Sequence, residues 1–130
     1  MLTVTNTTNT VVFRIIKHTT IFAFRLILAN MSVLATRLKE ARLKAGISQE
    51  KLGIEAGLDE NSASTRMNRY ELGARTPDLD LVQRFAEVLN VPVTYFFAVE
   101  QIEADLLLSF QDLDVISKHE VLKFIAGLKK

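Results

Sequence analysis

The chain has 130 residues, 48% of them apolar, with 16 Lys and Arg against 15 Asp and Glu and no cysteine. That length supports one domain with a buried core, while the missing cysteine excludes disulfides, thiolate zinc sites and a Cys nucleophile, and His18 and His119 lie too far apart in sequence to suggest an imidazole metal cluster. The net charge of +1 conceals an uneven distribution: residues 1–30 carry +3 with no acid, residues 31–77 carry +2, and residues 78–130 carry −4.

Residues 1–30 are rich in Thr and Asn and then apolar, ending VVFRIIKHTTIFAFRLILA. Arg14, Lys17 and Arg25 interrupt the only candidate membrane span. A secretory signal places its charges before the apolar run, whereas Arg25 lies inside it. The acid-free composition also fits an organellar transit peptide. Met31-Ser32 directly precedes a clean helical pattern. The expectation is therefore that residues 1–30 are an upstream extension and that Met31 is the start. If retained, their bulky apolar side chains must cover a surface, a partner or a lipid interface.

From Met31 onward the pattern is helical. Ser32 is a suitable N-cap, Leu34, Leu38 and Ala41 line one face, and Gly46 ends the helix. Ile47 points inward. Ser48 starts a second helix, with Lys51 where a capping box has Glu, Leu52 and Ala56 inward and Gly57 at its end. Leu58 to Ser62 form a polar turn. A third helix is expected over about residues 62–72, with Ala63, Met67 and Tyr70 inward and Ser64, Thr65, Asn68 and Arg69 outward, stopping at Gly73. Asp78 caps a fourth helix with Leu79, Val82, Phe85, Ala86 and Leu89 inside and Asn90 at its end. Pro92 opens a short fifth helix whose Phe96 and Phe97 read as core. Ile102, Leu106, Phe110 and Leu113 then form a stripe, and Asp114 caps a last helix with Val115, Leu122, Ile125 and Leu128 on one face. Because no alternating strand pattern follows Met31, this part reads all-α.

Two short helices joined by a polar turn are a helix-turn-helix candidate. The longer run is more specific: Arg37-Leu38, Ala41-Arg42, Gly46-Ile47-Ser48-Gln49 and Leu52-Gly53, then Met67-Asn68-Arg69-Tyr70-Glu71, Gly73 and Pro77. Over about residues 33–98 the chain resembles the lambda repressor/Cro-type (XRE) helix-turn-helix family. The resemblance implies a five-helix DNA-binding domain over residues 31–98 that docks its third helix in the major groove. Beyond it, residues 99–130 add two amphipathic helices that must bury their stripes on the domain or on another subunit, and dimerisation is the natural expectation. The resemblance assigns Gln49 and the start of the second helix to phosphate, and Arg69 to a base edge, with Asn68, Thr65 and Ser64 beside it. Arg75 and Lys51 match phosphate-holding positions. Arg42 and Glu71 match an interhelical ion pair, and Gly53 a small packing position. One departure stands out. Gly57 and Gly73 are further apart than the family's usual spacing by about four residues. Either the turn is longer or the third helix gains a turn, which adds Asn61 and Ser62 as candidates.

For Arg69 and Arg75 the competing reading is a solvated surface charge, and Glu100, Glu103 and Asp105 read as a solvated acidic face. The leading functional expectation is a cytoplasmic, sequence-specific transcriptional regulator, a repressor acting as a homodimer on a palindromic double-stranded operator. The alternatives are an antitoxin whose C-terminal helices bind a toxin, and a membrane-tethered interaction module inserting residues 11–29. No nucleophile–base pair, phosphate loop or metal spacing suggests an enzyme, and no cofactor is implied.

Overall fold

The computed structural model describes residues 33–129 together with Ile21 and Ala23. The expectations for the segment before Met31, membrane insertion included, and for the Ser32 cap therefore lie outside the described residues. Helix α1 covers residues 33–45. It is followed by α2 (Gln49–Glu55), α3 (Ala63–Glu71), α4 (Leu79–Leu89), a 3-10 helix (Val93–Phe97), α5 (Gln101–Gln111) and α6 (Val115–Leu128). Among the described residues there is no strand, and no helix is long and apolar enough to cross a membrane.

The core forms where the 3.6-residue periodicity places apolar side chains. Leu34, Leu38 and Ala41 of α1, Leu52 of α2, Ala63, Met67 and Tyr70 of α3, and Val82, Phe85, Ala86 and Leu89 of α4 are all buried in one cluster. Tyr70 meets Phe85 edge to face at 6.3 Å between ring centroids, a favourable aromatic geometry. Helix ends are built as their sequences suggest. Ser48 accepts the Lys51 N–H at 3.0 Å, Asp78 accepts the Leu81 N–H at 2.8 Å, and Asn90 closes α4 in the left-handed conformation at φ 50°.

Two inward assignments are corrected. Leu79 is exposed because it sits in the first turn of α4, roughly 90° around the helix from the face that Val82, Phe85 and Leu89 bury. Leu81 occupies the core in its place. Phe97 is also exposed, whereas Tyr95, Phe96 and Ala98 are buried. The segment is a 3-10 helix with three residues per turn. Val93 and Phe96 therefore form one ridge, Tyr95 and Ala98 another, and Thr94 and Phe97 a third that faces solvent.

Arg37 ties the start of the fold to its end. The side chain is buried, donates to the Ala98 carbonyl at 3.0 Å and the Gln101 Oε1 at 2.7 Å, and stacks over the Tyr95 ring at 5.8 Å. Helix α5 is thereby drawn onto the domain. Ala104 joins the core with Leu107 and Leu108 packed against it, and Gln111 Nε2 donates to the Asn90 carbonyl at 2.9 Å. The Ile102–Leu106 stripe exists, but it points away from the domain, since both residues are exposed.

Candidate nucleic-acid interface

The placement of α3 is fixed by contacts on its inner side. Gly53 of α2 lies against it so closely that an added Cβ would be 2.9 Å from the Ala63 Cβ and 3.3 Å from the Ala63 Cα. Contacts this short exclude any side chain at 53 while the two helices keep their separation. A second tie comes from the ion pair. Arg42 Nε and Nη2 donate to the two Glu71 carboxylate oxygens at 2.5 and 3.0 Å, a bidentate geometry. The Glu71 carboxylate bonds and attracts the guanidinium, outweighing the desolvation that opposes it, and so raises the Arg42 pKa further above its ordinary value.

Gln49 belongs to the same network. Its Nε2 donates to Glu71 Oε2 at 2.9 Å, which orients the amide and leaves one N–H for any other acceptor. The side chain that the family pattern assigns to phosphate is thus first a member of the α1–α3 tie. Lys51 is exposed, 3.8 Å from Glu55 across one turn of α2.

The extra residues before α3 form part of the turn. Asp59 Oδ1 accepts the Asn61 N–H at 3.0 Å, and the Asp59 carbonyl accepts the N–H groups of Ser62 and Ala63 at 3.0 and 2.8 Å. The Asp59 carbonyl thus satisfies the Ala63 N–H, the first of α3, while Ser62 gives the helix no side-chain cap. The chain coils once before α3 begins, and α3 itself remains 9 residues long. Asn61 is exposed and Ser62 half-buried in this turn, at the entrance to the helix.

On its outer side α3 presents Ser64, Thr65, Asn68 and Arg69, all exposed. Beside them is a group that sequence reasoning left incomplete. Arg66, Arg69, Tyr70 and Arg75 line one cleft of about 270 Å³. Arg66 Nη2 donates to the Tyr70 hydroxyl at 3.0 Å, and its guanidinium lies 5.9 Å from the ring centre. The i,i+4 spacing of Arg66 and Tyr70 was the available signal. The arrangement brings Arg69 and Arg75 together, with Arg66 as a third cation held on the Tyr70 side of the helix. Gln49 and Lys51 belong to α2, and Gln49 meets α3 at Glu71, apart from that cleft. Among the described residues no group of His, Cys, Asp and Glu could hold a metal ion.

A helix-turn-helix family model matches residues 38–96. The crystal structure of the transcriptional regulator BswR superimposes with a TM-score of 0.67 at 42% sequence identity, covering 72% of this chain and 92% of that one. The chain belongs to the XRE-type helix-turn-helix family. Other relatives include the HTH-type transcriptional regulator ImmR of Bacillus subtilis (strain 168), 35% identical over 78 residues, 57% of this chain and 58% of ImmR. An uncharacterized HTH-type transcriptional regulator of Sinorhizobium medicae (strain WSM419) is 34% identical over 62 residues, 48% of this chain and 42% of that protein. This helix-turn-helix chain thus spans about half the length of the curated relatives it matches. Within the family frame α2 and α3 are the helix-turn-helix pair, and the Asp59 turn is the connection between them.

Proposed function

We propose that the chain is a sequence-specific DNA-binding transcriptional regulator, acting in the cytoplasm as a repressor that inserts α3 into the major groove. The observation that carries this reading is the division of α3 into two sides. The inner side is fixed by Gly53 and by the Arg42–Glu71–Gln49 network, while short polar side chains and Arg69 face outward. A helix fits the major groove, and an Arg there can bond guanine O6 and N7, worth about 1–3 kcal/mol of discrimination. In this pose Arg69 reads a base, with Thr65, Asn68 and Ser64 along the same arc and Asn61 and Ser62 at the helix entrance. Arg66 and Arg75 hold one phosphate strand, and Lys51 with the remaining Gln49 N–H holds the other. Residues 31–98 carry this interface. Residues 99–130 bring two copies together on a palindromic operator, matching protein two-fold symmetry to two half-sites.

Selection of bound sites from a random DNA pool with the full chain tests this directly. A palindromic motif is expected. Arg69→Ala should flatten preference at one base pair of each half-site. Arg66→Ala and Arg75→Ala should weaken all sequences alike, each lowering the slope of log affinity against log salt by about 0.9. A pool with no enriched motif, or Arg69→Ala with unchanged preference, refutes the docking.

A further inference from the structure

The C-terminal helices expose apolar surface that the domain does not use. Among the described residues α6 is the helix that buries no residue. Val115, Ile116, Leu122, Phe124 and Leu128 are each at least 55% exposed and are spread around its circumference. Exposed apolar side chains in this number mark a surface that is normally covered. Helix α5 has an inner side held on the core through Ala104 and an outer side on which Ile102 and Leu106, one turn apart, are 78% and 50% exposed. Glu103 and Asp105 border that outer stripe. Within one chain, α6 reaches α5 where Lys118 lies over the Phe110 ring at 5.5 Å. Ile102 is about two turns further along, roughly 12 Å away on helical rise.

We infer that the occupant of this surface is a second copy of the chain, with α6 of each protomer lying across the outer stripe of α5 of its partner. Charge selects this pairing. Residues 100–114 carry five acids and no base, whereas residues 115–130 carry Lys118, Lys123, Lys129 and Lys130 against Glu120, which pairs with Lys123 at 2.9 Å. Pairing α5 with α5 would set Glu103 and Asp105 against their own copies, and pairing α6 with α6 would do the same with lysines. Like charges across an interface suppress such arrangements. Crossing α5 with α6 sets acid against base twice in each dimer, as a closed two-fold interface requires. The inference rests on the dimeric reading above and specifies its geometry.

The test uses the full chain in sedimentation velocity at tens of micromolar. The acid-reversed variant Glu103→Lys/Asp105→Lys and the base-reversed variant Lys118→Glu/Lys123→Glu should each dimerise at least tenfold more weakly than the parent. Mixed in equal amounts they should regain the dimer, because both seams of the mixed pair are again complementary. If a reversed variant loses helical circular dichroism, the neutral pairs Glu103→Gln/Asp105→Gln and Lys118→Gln/Lys123→Gln replace them and should weaken association in the same direction. A monomeric parent overturns the dimeric reading and this pairing with it. A dimeric parent whose reversed variants associate as strongly as it does, or do not recover on mixing, overturns the crossed pairing alone.

Discussion

Removing the Glu71 carboxylate should destabilise the fold far more than loss of a surface ion pair. The Glu71 and Arg42 side chains are 3% and 10% exposed, and Glu71 accepts from Arg42 Nε, Arg42 Nη2 and Gln49 Nε2. In Glu71→Ala the guanidinium keeps one acceptor, the Ile47 carbonyl at 2.9 Å, and it cannot escape by losing its proton at neutral pH. Breaking a buried pair on one side costs about 3–5 kcal/mol, against a total stability of about 5–15 kcal/mol. At about 4–8 °C per kcal/mol for a domain of this size, Tm should fall by at least about 12 °C. The paired change Arg42→Met/Glu71→Leu removes both charges and fills similar volume, so it should recover most of the loss. Urea unfolding followed by circular dichroism, with a common m-value, reads all the variants. A Glu71→Ala loss below about 1 kcal/mol, the range of an exposed pair, would refute the argument. So would a double variant no more stable than the single one.

Gly53→Ala sets two known effects against each other. Helix propensity favours Ala by about 1 kcal/mol, and overpacking against Ala63 and Met67 costs about 1–3 kcal/mol. A net loss of about 1 kcal/mol is expected, with a larger one for Gly53→Val; a gain on urea unfolding would mean that α2 and α3 separate freely. Tyr95 predicts an alkaline limit. Burial, aided by the charge of Glu40 and opposed by Arg37, raises its phenol above its ordinary value of 10.0. The stability tied to the neutral phenol is therefore complete below pH 10 and lost as pH rises through the folded value. Tyr95→Phe should remain folded to higher pH than the parent in a denaturant series; identical alkaline midpoints would contradict this.

Much of the core was legible because α1 to α4 follow a plain 3.6-residue rhythm, and Leu38, Leu52, Met67 and Phe85 lie where that rhythm puts them. The rhythm failed where the helix type changed. Phe97 reads as core on an α-helical wheel and faces solvent on a three-fold one. Periodicity also marks a stripe without saying what covers it, which is why Ile102 and Leu106 could be grouped but not oriented. Arg37 and Gln49 illustrate a different limit. Their partners Ala98, Gln101 and Glu71 are distant in sequence, so only the folded chain shows that an arginine and a glutamine from the motif are engaged internally. The candidate base-reading positions came from the family pattern aligned back from Gly73, and the Arg66–Tyr70 contact came from the structure.

The two-sidedness of α3 has an evolutionary consequence. Ala63, Met67, Tyr70 and Glu71 hold the helix, and Ser64, Thr65 and Asn68 are exposed on its other side. Exposed substitutions away from such ties usually change stability by less than about 0.5 kcal/mol. The outward face can therefore be rewritten almost freely while the fold persists. On the docking proposed above, a lineage descending from this chain can drift to new recognition sequences without first acquiring compensating stability, and selection on recognition and selection on folding then act on separate residues of one short helix.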